Sequence, residues 1–240
     1  MIIKESPIPL YFQLEQVIKE MIEKKELKPG DLVPSEREYA EKYQISRMTV
    51  RQAMNNLTSE GYLQRERGKG TFVAYKKFEQ DLEHLTSFSE DMRLRGMVAG
   101  TKVLEFNIIK ASGWLAKKLG LEEGSSVYEI KRLRLGDQLP IAFQIFYTSV
   151  DRIPGLTREI AEQSIYQHIE NETELWILSA EQEVEATIAR KHMADALDIK
   201  IGDPILYISR VSLTENDIPL EYVQSYYRAD RYKYKVKINR

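Results

Sequence analysis

Cysteine is absent from the 240-residue sequence, and so is any apolar run approaching the roughly 18 residues of a membrane-spanning helix. Without cysteine the chain forms no disulfide, thiol catalyst or thiolate metal site, which fits a reducing cytoplasm. The opening segment MIIKESPIPLY also lacks the apolar run and cleavage site of a signal peptide. We therefore expect a cytoplasmic protein without a membrane partner.

Motifs for catalysis and metal binding are missing as well. The sequence has no G-x-S-x-G elbow, no P-loop and no dinucleotide-binding glycine pattern. Its histidines, His84, His168 and His192, lack the short spacings of metal-binding motifs. We therefore expect a protein that is not an enzyme and holds neither a metal nor a cofactor.

Residues 34–57 instead carry the pattern of two short capped helices. Ser35 stands three residues before Glu38, which is the spacing of a capping box, and predicts a helix over 35–43. After a turn, Ser46 is a suitable N-cap for a second helix. Apolar residues recur on this second helix at i, i+3, i+4 and i+7, namely Val50, Ala53, Met54 and Leu57. The polar arc opposite them is where a recognition helix places its contacts with DNA.

A basic hairpin follows the second helix. Strands are predicted at 62–65 and 71–73, with Arg67, Gly68, Lys69 and Gly70 between them. The two glycines allow positive φ and a close backbone approach, so the tip can place Lys69 in a narrow minor groove.

Each element alone has a simpler interpretation, as a solvated helix or an ordinary turn. Their order within residues 34–73 nevertheless indicates a winged helix-turn-helix that binds double-stranded DNA. The predicted DNA-binding residues are Ser35, Arg37, Ser46, Arg47, Thr49, Arg51, Gln52, Lys69 and Gly70.

A large excess of charge of one sign is another feature that the sequence lacks. The formal net charge is −2, and residues 1–75 carry 12 basic against 11 acidic side chains. The basic residues of the predicted DNA-binding region are Arg37, Arg47, Arg51, Arg65, Arg67 and Lys69. A small patch on a nearly neutral domain predicts weak non-specific affinity and dependence on site-specific binding as a dimer.

The chain is long enough for two domains. We predict a DNA-binding domain at 1–75, a charged linker at 76–84, and a second domain at 85–240. In the last of these, the pattern predicts strands at 102–109, 127–135, 141–148, 181–185, 205–213 and 220–227, and helices at 113–119, 164–170 and 189–197. This order predicts an α+β fold with helices packed on an antiparallel sheet.

Arg132 and Arg134 lie two residues apart on a predicted strand, so both guanidinium groups leave the same face, together with Tyr128 and Ile130. Paired guanidinium groups suit a dianion such as phosphate. The alternative is a solvent-facing strand edge. Ser164 and Tyr166 begin a predicted helix, whose free amides favour an anion, although the local pattern also fits an N-cap and a packing residue.

The segments LKPGDLVPSEREYAEKY, ISRMTVRQAMNNL, EGYLQRERGKGTFV, LTSFSEDMRLRG, QSIYQHIE and YYRADRY resemble the GntR superfamily of bacterial transcription regulators, HutC subfamily. Within it the sequence is most similar to the repressors of N-acetylglucosamine utilisation. The resemblance implies that residues 85–240 are an effector-binding and dimerisation domain of the chorismate-lyase-like, UTRA type. It also implies a homodimer, a palindromic operator, and release by a sugar phosphate, with an amino-sugar 6-phosphate favoured.

The resemblance also implies roles for individual residues. Arg132, Arg134, Ser164 and Tyr166 match positions that bind the effector phosphate, and Glu221 and Tyr227 match positions that hydrogen-bond the sugar. The segment of Thr86, Ser87, Phe88 and Ser89 matches a loop that closes on the ligand. Gln144 stands where similar proteins have glutamate, which leaves an N-acetylated or neutral sugar phosphate open beside a free amine. A non-sugar effector such as an amino-acid catabolite or a fatty acid also stays open, and so does a lyase-like activity of the C-terminal domain.

Overall fold

The computed structural model describes residues 2–66, 68–75, 77–81, 85–173 and 175–238. They form two compact units, an N-terminal unit (Met1–Lys77) and a C-terminal unit (Phe78–Arg240). Arg67 of the predicted basic patch, His84, and residues 76 and 82–84 of the predicted linker lie outside the described residues.

The N-terminal unit contains three helices and a hairpin. In chain order they are α1 (Leu10–Glu23), α2 (Glu36–Tyr43), α3 (Arg47–Ser59), β1 (Leu63–Glu66) and β2 (Gly70–Val73). Ser35 caps α2 in a complete capping box with Glu38, and the Ser46 side chain accepts a hydrogen bond from the backbone of Thr49 at the start of α3. Both helices and their predicted caps are therefore confirmed.

The core of the N-terminal unit is built on α3. The four apolar residues predicted to face inward, Val50, Ala53, Met54 and Leu57, are all buried. They pack in one cluster with Leu14 and Ile18 of α1. The structure adds α1, which was not predicted from the sequence although its apolar residues recur at helical spacing. Since α3 is fixed through one face, its opposite face is left to solvent.

The hairpin is antiparallel, with Leu63 opposite Val73 and Glu66 opposite Gly70. Gly70 has φ 131°, and a Cβ at this position would lie 2.7 Å from the Leu32 side chain. Glycine is therefore required here for both the backbone conformation and the close approach. The predicted wing is confirmed for the part of it that the structure describes.

The C-terminal unit begins with β3 (Phe78–Asp81) and α4 (Phe88–Leu94). The other elements are β4 (Ala99–Lys110), α5 (Gly113–Leu119), β5 (Ser126–Gly136), β6 (Leu139–Ser149), α6 (Arg158–Glu162), α7 (Ile165–Glu172), β7 (Ser179–Ile188), α8 (Lys191–Leu197), β8 (Pro204–Leu213), β9 (Pro219–Arg228) and β10 (Tyr232–Lys235). Six strands form one antiparallel sheet in the order β4-β5-β6-β9-β8-β7. The predicted α+β fold is confirmed.

Helices pack on both faces of this sheet. On one face Ile130 and Phe146 pack with Ile165 and Ile169 of α7. On the other face of the sheet, α5 packs against Val127. Helix α8 packs against a different part of the sheet, in a separate cluster. Because side chains alternate along a strand, the even-numbered residues of β5 point toward the α7 side. This parity places Arg132 and Arg134 on the same side as α7.

The predicted linker needs a correction. Residues 78–81 form β3, which pairs in parallel with β10, so they are part of the C-terminal unit. Tyr232 lies opposite Phe78 in this pairing. Local composition cannot reveal a strand whose partner is so distant in sequence. The short helices α4 and α6 were also missed, and among the described residues every helix is too short or too polar to cross a membrane.

Leu57→Ala tests the packing of α3. The side chain is completely buried, so its truncation should lower the free energy of unfolding by about 2–5 kcal/mol in a urea titration followed by circular dichroism. Met48→Ala is the matched control, because Met48 is 67% exposed on the same helix and should change stability by less than about 0.5 kcal/mol. Equal losses from the two variants would contradict this orientation of α3.

Candidate functional site

The outer face of α3 presents polar and basic side chains. Arg47, Arg51 and Gln52 are exposed and Thr49 is partly exposed, whereas the opposite face of the helix is buried. A helix of about 10–12 Å diameter fits the roughly 12 Å major groove of B-DNA. The exposed face of α3 is therefore free to lie in that groove.

The predicted DNA-binding residues line two surface depressions of the N-terminal unit. Ser35, Arg37, Arg47, Lys69 and Gly70 line a groove formed by α2, the start of α3 and the wing. A second depression on α3 is lined by Thr49, Arg51 and Gln52, together with Met48, Asn55 and Asn56. Ser46 lines neither, and its hydroxyl lies 2.8 Å from that of Thr49. The capping role of Ser46 is confirmed, and its contact with DNA stays a prediction.

Several positive charges of this face are paired with carboxylates of the same unit. Arg37 bonds to Glu41 at 2.8 Å, and Lys69 lies 3.0 Å from Glu66. Glu36 contacts two guanidinium groups, those of Arg51 at 2.9 Å and Arg65 at 3.5 Å. Arg47 makes no ion pair within the described part of the chain, so it is the arginine most available to an incoming phosphate or base.

The C-terminal unit contains a cavity into which most of the predicted effector residues point. Its walls include Ser87, Phe88, Arg132, Arg134, Gln144, Ser164, Tyr166, Glu221 and Tyr227. These side chains come from α4, β5, β6, α7 and β9, or from residues that cap these helices. Ser89 is the exception, because it lies in the first turn of α4 but is not part of the cavity wall. The prediction that Ser89 contacts the ligand is therefore not supported by its position.

Arg132 and Arg134 are buried beside each other. Only 5% of Arg132 and 4% of Arg134 is exposed, so the alternative of a solvent-facing strand edge is wrong. Arg132 Nη2 donates a 2.6 Å hydrogen bond to Gln144 Oε1, and its guanidinium lies 5.0 Å from the ring centroid of Phe146. The Arg134 guanidinium lies 4.4 Å from the ring centroid of Phe88. Aromatic faces and one neutral amide therefore hold the two cations.

Burial makes this arginine pair electrostatically unfavourable without a partner. Loss of solvent lowers the pKa of Arg132 to about 10, although the charge of Glu221 acts in the opposite direction. Loss of solvent, followed by repulsion from Arg132, holds the pKa of Arg134 well below its usual value. The Nε atoms of both are buried and make no hydrogen bond to any residue that the structure describes. A ligand that brings negative charge and acceptor oxygens would relieve both conditions.

Glu221 is the carboxyl group of the sheet wall. Its Oε1 accepts hydrogen bonds from the Tyr166 hydroxyl and, at 2.7 Å, from Ser212 Oγ, while its buried Oε2 has no hydrogen-bond partner. Burial raises the pKa of Glu221, against the opposing effects of Tyr166, Ser212 and Arg210. Burial also raises the pKa of Tyr166, which keeps its hydroxyl protonated as a donor.

The structure changes the roles expected at the start of α7. The Tyr166 hydroxyl is committed to Glu221, and the Ser164 side chain caps α7 by accepting from the backbone of Gln167 at 3.3 Å. Both residues line the cavity, but the Tyr166 O–H already donates to Glu221, whereas Ser164 accepts through its oxygen and keeps its own O–H able to donate. Their contact with a phosphate stays a prediction that requires rearrangement of Tyr166.

Gln144 is held from two sides. Its oxygen accepts from Arg132, and its Nε2 donates to Ser225 Oγ at 3.1 Å. The amide is therefore oriented by its neighbours, and it carries no charge toward a ligand.

Sequence reasoning missed several cavity residues, which are Gln80, Asp91, Arg210, Ser225 and Tyr234. Strand parity could have found Ser225, because it lies between Glu221 and Tyr227 on the same face of β9. Gln80 and Tyr234 gave no such signal, since they reach the cavity through the pairing of β3 with β10. Within the described ranges, no three His, Asp or Glu side chains come together as a metal site would require.

Comparison with known proteins gives matches along nearly the whole chain. Residues 10–73 match the model described as bacterial regulatory proteins, gntR family, and residues 94–233 match the UTRA domain. The HTH-type transcriptional repressor NagR of Bacillus subtilis is 42% identical over 231 residues, which cover 96% of this chain and 95% of NagR.

Two further proteins are similar over comparable lengths. The mannosyl-D-glycerate transport/metabolism system repressor MngR of Escherichia coli is 33% identical, with 94% of each chain covered. The crystal structure of PhnF from Mycobacterium smegmatis superposes with a TM-score of 0.68 at 27% identity, covering 95% of this chain and 98% of PhnF. The chain therefore resembles MngR in sequence and PhnF in the arrangement of its elements.

Glu221→Gln tests the electrostatic state of the cavity. Because the folded-state pKa of Glu221 is raised, the fold binds this proton more tightly than the unfolded chain does. The resulting stabilisation is complete below the unfolded pKa of about 4.3 and is lost as pH rises through the folded pKa. The neutral glutamine should therefore give a higher Tm than wild type at pH 7, with the difference shrinking toward pH 4. A lower Tm for the variant at pH 7 would contradict this account.

Proposed function

Because this chain belongs to the gntR family of bacterial regulatory proteins and carries a UTRA domain, we propose that it is a transcriptional repressor controlled by a sugar phosphate in the arginine cavity. Family membership confirms the resemblance seen in the sequence, and with it a regulator that binds DNA. The repressor action and the chemistry of the effector are the parts that we propose.

The N-terminal unit reads the operator. Its α3 enters the major groove with Arg47, Arg51 and Gln52 toward the bases, and the wing places Lys69 near the minor groove. The near balance of charge in residues 1–75 supports reliance on base contacts rather than on phosphate attraction alone. Two copies of the chain on a palindromic site would double these few contacts, which favours binding as a homodimer.

The buried pair of Arg132 and Arg134 carries the proposal for the effector. Two adjacent guanidinium groups with unused Nε donors suit a phosphate dianion better than a single carboxylate. The same cavity is also lined by Glu221, Tyr227 and Gln144, whose polar side chains can bond to the hydroxyls of a sugar ring. This polar wall favours a sugar phosphate over a fatty acid, whose chain would need an apolar tunnel.

The relatives support a carbohydrate ligand without identifying it. MngR is by name a repressor of a mannosyl-D-glycerate system, and it aligns with nearly all of this chain. The neutral Gln144 gives no charge attraction to an ammonium group, so an N-acetylated or unsubstituted hexose phosphate fits this position as well as an amino sugar. Amino-sugar 6-phosphates and their N-acetyl forms are the first compounds to test.

Arg47→Ala tests the reading face. An operator can be selected from duplexes of random sequence with the wild-type protein, and its affinity then measured by gel shift. Loss of one base or phosphate contact should weaken binding by about tenfold. Lys24→Ala is the control for overall charge, because Lys24 caps the end of α1, where it pairs with Glu20. Wild-type affinity for the Arg47 variant would contradict the assignment of α3.

Arg132→Ala and Arg134→Ala test the effector site. Both variants should still bind the operator but should lose release by glucosamine 6-phosphate or N-acetylglucosamine 6-phosphate, together with ligand-induced thermal stabilisation. At about 100 times Kd the wild-type protein should gain about 2.7 kcal/mol of stability. Lys131→Ala is the matched control, because Lys131 directly precedes Arg132 on β5 but bonds to Glu105 instead. A normal response of both arginine variants would place the anion site elsewhere.

A further inference from the structure

Glu36 is an acidic side chain on the surface that the N-terminal unit is proposed to present to DNA. It is the first residue of α2, and it lines the same groove as Arg37, Arg47 and Lys69. A carboxylate among phosphate-binding groups repels the DNA backbone, and so it lowers affinity for every duplex regardless of sequence. We therefore expect the carboxylate to have another effect on DNA binding, which offsets the affinity that it costs.

Glu36 contacts one edge of the Arg51 guanidinium group. Arg51 Nε lies 3.3 Å from Glu36 Oε1 and 3.0 Å from Oε2, and Arg51 Nη2 lies 2.9 Å from Oε2. The carboxylate therefore occupies the edge formed by Nε and Nη2. A guanidinium group has five N–H donors in a fixed plane, so its end fork of Nη1 and Nη2 keeps hydrogens that point away from the carboxylate.

This end fork matches the acceptors of guanine. In the major groove guanine presents O6 and N7, and a bidentate arginine is the commonest side chain that reads them. A free arginine side chain loses rotamer entropy when it is fixed, so a partner that fixes the plane beforehand favours binding in one orientation. Glu36 can supply that constraint while the end fork stays open.

Two other described carboxylates that pair with predicted DNA-binding residues have a different arrangement. Glu41 and Glu66 each contact a basic residue three or four positions away on their own helix or wing. Glu36 instead reaches from α2 to Arg51 on α3 and to Arg65 on β1, so it connects the three elements of the reading surface. Arg51 is 51% exposed, and an ion pair of this kind contributes little to stability, which leaves orientation as its main effect.

We infer that Glu36 is a positioning residue, which holds Arg51 in the plane needed to read a guanine and also weakens binding to DNA of other sequences. The inference rests on the proposed entry of α3 into the major groove. Glu36 itself touches no base. Its two effects act in opposite directions on affinity, and together they increase the ratio of specific to non-specific binding.

The test compares Glu36→Ala, Arg51→Ala and the double variant with wild type. Each full-length protein selects sequences from a pool of random duplexes, and its affinity for a mixed-sequence duplex is measured separately. Arg51→Ala should lose its preference for one guanine in each half-site by about tenfold. Glu36→Ala should lose most of the preference at that same base, should bind the mixed-sequence duplex several-fold more tightly, and should cause no further loss in the double variant.

Two more variants separate positioning from other effects. Glu36→Gln keeps a side-chain oxygen for Arg51, so it should retain more of the guanine preference than Glu36→Ala. Glu20→Ala removes an equal charge from α1, where Glu20 pairs with Lys24, and should change neither the preference nor the non-specific affinity. Thermal melts should show that all variants remain folded.

Three outcomes would overturn the inference. If Glu36→Ala keeps the wild-type preference at the guanine that depends on Arg51, Glu36 does not position that side chain. Equal loss of affinity for the selected and mixed duplexes would show a structural role instead. If Arg51→Ala loses no base preference, the proposed placement of α3 fails and the inference fails with it, so the Arg51 variant alone distinguishes the two failures.

Discussion

Two guanidinium groups buried side by side on β5 impose the main physical constraint on the C-terminal unit. Arg132 and Arg134 have lost almost all of their water, and repulsion between them adds to the cost. An arrangement of this kind persists only when surrounding groups stabilise the charges. The aromatic rings of Phe88 and Phe146 and the oxygen of Gln144 provide part of that stabilisation. The remaining deficit is one of negative charge, and a phosphate would supply it.

The burial of the two arginines also bears on Glu221, the carboxyl group that lines the same cavity. Glu221 is close enough for its charge to act on Arg132, but it is itself buried, so it is held by donors from Tyr166 and Ser212. Among the described residues, no direct ion pair joins Glu221 to Arg132 or Arg134, so the carboxyl group and the two cations do not neutralise one another. These contacts support the proposal of a ligand with an anionic end and a hydroxyl-rich end, as a sugar phosphate has.

Much of the fold could be predicted because its signals are local. The capping box at Ser35, the apolar stripe from Val50 to Leu57 and the glycines of the wing each depend on residues a few positions apart. Strand parity likewise placed Arg132 and Arg134 on one face. The pairing of β3 with β10 and the bond from Tyr166 to Glu221 could not be predicted, because they join segments far apart in sequence. Ser89 lies off the cavity wall because a one-residue step on α4 turns the side chain away from the cavity.

The central claim is that Arg132 and Arg134 together form the anion site of a ligand-controlled repressor. Crystals of the protein soaked in tungstate test it without assuming which sugar is bound, because this dianion mimics phosphate and is located by its anomalous scattering. We expect one strong peak within hydrogen-bond distance of both guanidinium groups, and no such peak in crystals of Arg134→Ala. A wild-type cavity without a peak, in crystals where tungstate binds only at other positions, would contradict the claim.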